Sequence, residues 1–140
     1  MYSKQLGEMA WMDLSVPNAE QVKRFYQQVL GWQSEGVNMR CDGQTYADFV
    51  MSTEENETTV ETSSGSFVTG ICHAKGANAD MPAVWLPYFL VADIERAVSA
   101  VQAEGGELVT KIKSLGSDKY LVIKDPAGAQ CALYQKNAAN

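Results

Sequence analysis

Long apolar runs are missing from this chain of 140 residues, and residues 1–10 alternate apolar with polar side chains. A membrane helix or a cleavable leader needs a longer unbroken run, so the expectation is a chain in the cytoplasm with no membrane partner. Cysteine is scarce: Cys41, Cys72 and Cys131 lie far apart with no Cys-x-x-Cys pair. That spacing excludes a disulfide framework and a local structural zinc site, and leaves reduced thiols. Histidine is represented by His73 alone. Positive charge is in the minority, 11 Lys and Arg against 17 Asp and Glu, and it forms no stripe. A net charge of −6 would repel a phosphate backbone, so no nucleic acid partner is expected. Three local signatures are also absent: a Gly-rich phosphate loop before a helix, a Gly-x-Ser-x-Gly elbow and a His-Glu-x-x-His helix.

What is present is ordinary globular material, with 46% hydrophobic and 20% charged residues. The length suits a single domain over residues 1–140 with one core. A repeat runs through it. Residues 11–16 alternate as a strand does, Pro17-Asn18 interrupts, and Val22, Phe25, Tyr26, Val29 and Leu30 recur at helical spacing. Asn18 is placed to cap that helix with Gln21 as capping-box partner, and Gly31 supplies a left-handed exit. The same order returns 75 positions later: an apolar strand at 85–91, Asp93 as cap, Ile94, Ala97, Val98 and Val101 as the stripe, and Gly105-Gly106 as the stop. Val16 then matches Val91, Asn18 matches Asp93 and Gly31 matches Gly106, the pattern of an internal duplication.

Strand-like runs follow each helix, at 32–39, 44–51 and 66–72 and again at 107–113, 119–124 and 129–134. The last two form a hairpin whose turn, Asp125-Pro126-Ala127-Gly128, has the type I preferences. Residues 53–65 are polar and acidic and read as a surface loop or hairpin tip, and 74–82 as a linker. The fold class is therefore α+β, with two βαβββ modules at about 5–75 and 83–136. Neither module can close a core alone, so half-barrel sheets around a shared cleft are expected.

The paired opening segments "WMDLSVPNAEQVKRFYQQVLGW" and "WLPYFLVADIERAVSAVQAEGGELV", closed by "DPAGAQCALYQ", resemble the vicinal oxygen chelate superfamily, the glyoxalase/bleomycin resistance/dioxygenase-like domains. The resemblance covers nearly the whole chain and implies the fold more firmly than the reaction. In its metal-using members, a His, Gln or Glu near the start of each module's first strand and a Glu on each last strand hold a divalent ion. Those positions fall here on Trp11, Leu86 and Ala132, none of which binds a divalent cation. The fourth lies on the strand 66–73, where the sequence does not fix the register and only Cys72 and His73 offer a ligand. No metal and no cofactor are expected.

Strand alternation puts Met12, Leu14 and Val16 under the first helix and turns Trp11, Asp13 and Ser15 to the cleft. By the repeat, Leu86 and Tyr88 face it too, joined by Gln130 and Tyr134 from the closing strand. These seven are the candidate ligand-binding residues: aromatic walls with a few orienting polar groups suit a small, flat, partly polar organic molecule. Aromatic side chains on inward strand faces are also ordinary core. Asp13, His73 and Cys72 are the catalytic candidates, although neighbouring strand residues point to opposite faces and Cys72 and His73 cannot easily pair. The leading expectation is a metal-free small-molecule-binding homodimer of the glyoxalase/bleomycin resistance type. A related enzyme using acid–base chemistry on a carbonyl metabolite, and a protein-interaction module with a filled cleft, remain open. Whether the chain is an enzyme is left undecided by the sequence.

Overall fold

The computed structural model describes residues 2–53 and 67–137. The loop expected at 53–65 falls outside them except for Thr53. The chain divides into two compact units: a first unit of Asp13–Ala83, and a second made of Met1–Met12 with Val84–Asn140.

β1 (Met9–Val16) enters the first unit at Asp13 and leads there into α1 (Ala19–Leu30), and β2 (Gln33–Cys41), β3 (Gln44–Ser52) and β4 (Val68–His73) follow. The strand order is β2-β3-β4-β1, with β2, β3 and β4 antiparallel in turn and β4 parallel to β1. Leu14, Ile71 and Phe49 are in register across β1, β4 and β3 and so share a face. The Lys23 ammonium of α1 lies 4.6 Å above the Phe49 ring, which puts the helix on that face. Leu14, Phe49, Met51 and Ile71 are buried there, as the alternation of β1 requires. The apolar stripe of α1 is covered along only one edge: Ala19 is buried, whereas Phe25, Val29 and Leu30 are exposed.

The second unit repeats the plan. β5 (Leu86–Leu90) precedes α2 (Ile94–Ala103), then β6 (Glu107–Leu108), β7 (Lys113–Leu115), β8 (Asp118–Lys124) and β9 (Gln130–Gln135). The order is β5-β9-β8-β6, with β7 also on β8 and β5 parallel to β9. Ile94, Leu121, Ile123 and Leu133 form its core, backed by Val91, Ala97, Val98 and Val101. Gly106 is required by close approach, because a Cβ there would stand 2.7 Å from the Lys124 carbonyl oxygen.

Three expectations need correction. The strand read at 107–113 is split into β6 and β7 by a bulge, since the N–H groups of Val109 and Thr110 both donate to the Val122 carbonyl. The Thr110 hydroxyl accepts from the Val122 N–H at 3.0 Å, so the bulge leaves that donor satisfied. Asn18 does not cap α1: its amide donates to Gln21 Oε1 at 3.0 Å and takes no backbone N–H. The exposed edge of the α1 stripe is the third. Asp93, by contrast, accepts from the N–H groups of Glu95 and Arg96, and Gly31 ends α1 in the left-handed conformation. No helix among the described residues is long and apolar enough to cross a membrane.

Candidate functional site

The face of the first unit turned away from α1 is polar. Asp13 pairs with Gly70 and Ser15 with Cys72 across β1 and β4, and Gly70 pairs with Val50 on β3, which places Asp48 on the same face by alternation. Ser15 and Asp48 are buried, and Asp13 and Cys72 half-buried. Burial, then the charges of Asp13 and Asp48 with the nearness of the Asp48 carboxylate to the thiol, push the Cys72 thiol far above its ordinary value. Cys72 is therefore held protonated, the opposite of an activated nucleophile.

Asp48 also organises His73. The ladder between β3 and β4 ends at Phe49 and Ile71, two residues before β4 does. Beyond it, the His73 backbone N–H donates to Asp48 Oδ1 at 2.8 Å, and His73 Nδ1 lies 3.3 Å from the same oxygen. Cys72 and His73 thus do not meet each other; both meet Asp48. The imidazole packs against the Tyr46 ring edge at 5.3 Å and the Phe49 ring at 6.3 Å. The Tyr46 phenol is raised by burial, then by the charge of Asp48, and the Lys75 ammonium sits 4.9 Å from its ring.

The corresponding face of the second unit is aromatic. Tyr88 pairs with Ala132, and Leu90 with Tyr134, which in turn pairs with Tyr120. The Tyr88, Tyr120 and Tyr134 rings lie 6.2 to 6.4 Å apart, with Tyr120 stacked on Tyr134. The Tyr134 hydroxyl donates to Asp118 at 2.5 Å, and Asp118 also accepts the Asn137 N–H at 2.8 Å. Burial and the neighbouring carboxylate hold the Tyr134 phenol well above its usual value, and the phenol's hydrogen bond draws Asp118 down. Leu86 and Tyr88 are buried, whereas Gln130 and Tyr134 are half-buried. Gln130 Oε1 is buried without a hydrogen-bond partner among the described residues. Trp11 belongs to this unit, half-buried with its ring stacked 6.0 Å from that of Tyr2.

The candidates therefore fall into two groups: Asp13, Ser15, Cys72 and His73 in the first unit, and Trp11, Leu86, Tyr88, Gln130 and Tyr134 in the second. Asp48, Asp118 and Tyr120 escaped the sequence reading. The signal for Asp48 was available, since parity along 44–51 sets Tyr46 and Asp48 opposite Ala47, Phe49 and Met51.

Residues 8–133 match the Glyoxalase/Bleomycin resistance protein/Dioxygenase superfamily. The chain belongs to that superfamily. It is 29% identical over 134 residues to DnrV, an anthracycline biosynthesis protein of Streptomyces peucetius, covering 93% of this chain and 47% of DnrV. Identity to the protein CFP32 of Mycobacterium tuberculosis is 27% over 133 residues, 94% of this chain and 46% of CFP32. The chain spans about half the length of the curated relatives it matches. A variant of methylmalonyl-CoA epimerase from Streptomyces coelicolor, in complex with 2-nitronate-propionyl-CoA, superposes with a TM-score of 0.51. That match covers 96% of this chain and 100% of the epimerase at 13% identity, which shows a common fold.

Metal-using members of the superfamily hold their ion on four strand positions, and the register now locates the fourth. Asp13 and Tyr88 are equivalent in the repeat; Tyr88 pairs with Ala132 and Asp13 with Gly70. By that resemblance and this register, the four positions correspond to Trp11, Gly70, Leu86 and Ala132, none of which has a side chain that ligates a divalent ion. The residues present do not fit the ion. Among the described residues, no group of three His, Cys, Asp or Glu is arranged to replace them.

Proposed function

We propose that this superfamily member is a metal-free small-molecule-binding protein that takes a flat, partly polar organic ligand on the helix-free sheet faces of its units. The observation that carries this reading is the residue set at the four chelating positions, Trp11, Gly70, Leu86 and Ala132, beside buried polar and aromatic groups on the same faces. Trp11, Asp13, Ser15, Leu86, Tyr88, Gln130 and Tyr134 are its proposed contacts. The Gln130 oxygen, buried and without a described partner, suits a ligand N–H or O–H. DnrV is named for anthracycline biosynthesis, so an anthracycline is the first probe. Titration followed by tryptophan fluorescence should saturate without added metal, and Asp13→Asn should weaken binding by at least about 1 kcal/mol. Binding weaker than about 1 mM, or binding that requires a divalent ion, overturns the reading.

The protein is further proposed to act in the cytoplasm as a homodimer, without nucleic acid. A mass near that of one 15.3 kDa chain by light scattering at all concentrations would refute the dimer. A second reading, acid–base chemistry on a carbonyl metabolite, is favoured by one observation, the contact of Asp48 with His73.

A further inference from the structure

His73 is the sole histidine of the chain, and its surroundings fix more than its position. Asp48 Oδ1 accepts the His73 backbone N–H at 2.8 Å and lies 3.3 Å from Nδ1. A carboxylate facing an unprotonated ring nitrogen would set lone pair against lone pair, so this contact selects the form with hydrogen on Nδ1. In a neutral imidazole that leaves Nε2 as the basic atom. No hydrogen bond joins Nε2 to a described residue. The ring cannot swing freely, because the Tyr46 edge and the Phe49 ring flank it. Behind it, the Asp48 side chain is 9% exposed against 13% for His73, so a charge on the ring would be compensated by a carboxylate withdrawn from water.

We propose that Asp48 and His73 form a proton-accepting dyad, with Asp48 positioning the ring and Nε2 receiving the proton of a phenolic or enolic hydroxyl on the bound ligand. The chemical class follows from the base. Imidazole is a weak base, so a hydroxyl that surrenders its proton on binding must sit on unsaturated carbon, where the anion is delocalised. The O–H bond breaks, its electron pair stays on oxygen, the proton goes to Nε2, and nothing is oxidised or reduced. The imidazolium then lies between the Asp48 carboxylate and the ligand oxyanion, and the net charge of the three groups stays at −1 throughout. The other ionisable groups close by are the Asp13 carboxylate and the protonated Cys72 thiol it acts on, the raised Tyr46 phenol with Lys75 above its ring and Cys41 near it, and Lys23 above Phe49. This inference names the ligand chemistry of the binding function proposed above and rests on it for the ligand, though not for the dyad: alternation puts His73 beside Val16 on the helix-bearing side of β4, and the ring's contacts with Asp48 and Tyr46 of the helix-free side set it at the strand end between the two faces.

Long-range proton–nitrogen NMR of the 15N-labelled full chain reads one imidazole, because there is one histidine. The neutral ring should carry its hydrogen on Nδ1, and diethyl pyrocarbonate should modify Nε2; hydrogen on Nε2 overturns the dyad. In Asp48→Asn the preference for Nδ1–H and the modification rate should both fall, and an unchanged rate would mean that Asp48 does not act through the ring. The ligand class is tested with 4-nitrophenol at a pH below its own ionisation. Wild type should bind it as the yellow phenolate and His73→Gln only as the phenol, with circular dichroism confirming that His73→Gln is folded. Absence of the phenolate band with wild type overturns the class. Failure of anthracycline binding would not alter the NMR result, so the two proposals fail separately.

Discussion

The two βαβββ units share one topology and differ most on the face that carries no helix. In the first, Asp13, Ser15, Asp48 and Cys72 make that face polar, whereas in the second Tyr88, Tyr120 and Tyr134 close over it with their rings. The helix-bearing faces, by contrast, are both aliphatic or aromatic core, Leu14, Phe49 and Ile71 in one and Leu121, Ile123 and Leu133 in the other. A duplicated fold needs only one face of each sheet for packing against its helix. The other is free to diverge, and here it has diverged in polarity.

The largest effect expected from this difference is on stability. Tyr88 is 6% exposed and touches two further rings, so Tyr88→Ala should cost about 3 to 5 kcal/mol in a urea titration, the range for removing a buried aromatic ring. Ser15→Ala, at the equally buried position of the polar face, deletes one hydroxyl and should cost about 1 kcal/mol. If the two variants cost the same, the second unit's rings are not packed as core and the contrast between the faces is lost.

Much of this was legible in the sequence. The 75-residue repeat gave the βαβββ plan, and strand alternation assigned Asp13 and Ser15 to the helix-free face, because both depend on periodicities that a sequence displays directly. The split of β6 from β7 was hidden, since a bulge is made by two N–H groups sharing one carbonyl and leaves no fixed residue pattern. The face of Asp48 could be read from parity, but its partner was hidden for a related reason. Its importance comes from where the β3–β4 ladder stops, and register between strands 25 residues apart is not written in either strand. The same holds for Gly70, which only the pairing with Asp13 matches to the fourth ligand position of the metal-using relatives.

A pH titration sharpens the contrast on the first unit's side. Burial and the Asp13 and Asp48 charges raise the Cys72 thiol in the folded state, so its contribution to stability is fully present below the unfolded thiol value, about 8.5. Above that value the unfolded chain loses the proton and the folded one keeps it. Stability should therefore fall by up to about 1.4 kcal/mol per pH unit as pH rises toward 10. Cys72→Ala should flatten most of this slope below about pH 9, and leave the part due to Cys131, which burial and Asp125 also raise, joined close to pH 10 by the raised Tyr134 and Tyr46 phenols. A slope unchanged in Cys72→Ala would remove the polar face of the first unit as its source.

The smallest effect separates the two helix starts, which the repeat makes equivalent and the structure does not. Asp93 accepts the N–H groups of Glu95 and Arg96 at 3.1 and 3.2 Å, satisfying two of the donors that the first turn of α2 leaves open. Its carboxylate also lies at the positive end of the helix. Asn18 spends its amide on the Gln21 side chain and accepts no backbone N–H, so α1 begins without that compensation. Asp93→Ala should then cost about 1 kcal/mol, the ordinary loss for a helix cap, while Asn18→Ala should stay within about 0.5 kcal/mol of wild type. Asn18→Asp is the more searching variant, because a carboxylate that turned to the open N–H groups would stabilise α1 where the amide does not. A gain from Asn18→Asp with no loss from Asn18→Ala would show that the second unit's capping chemistry can be transplanted to the first. Equal losses from Asn18→Ala and Asp93→Ala would mean that Asn18 caps α1 in solution after all, and the asymmetry between the two helix starts would disappear.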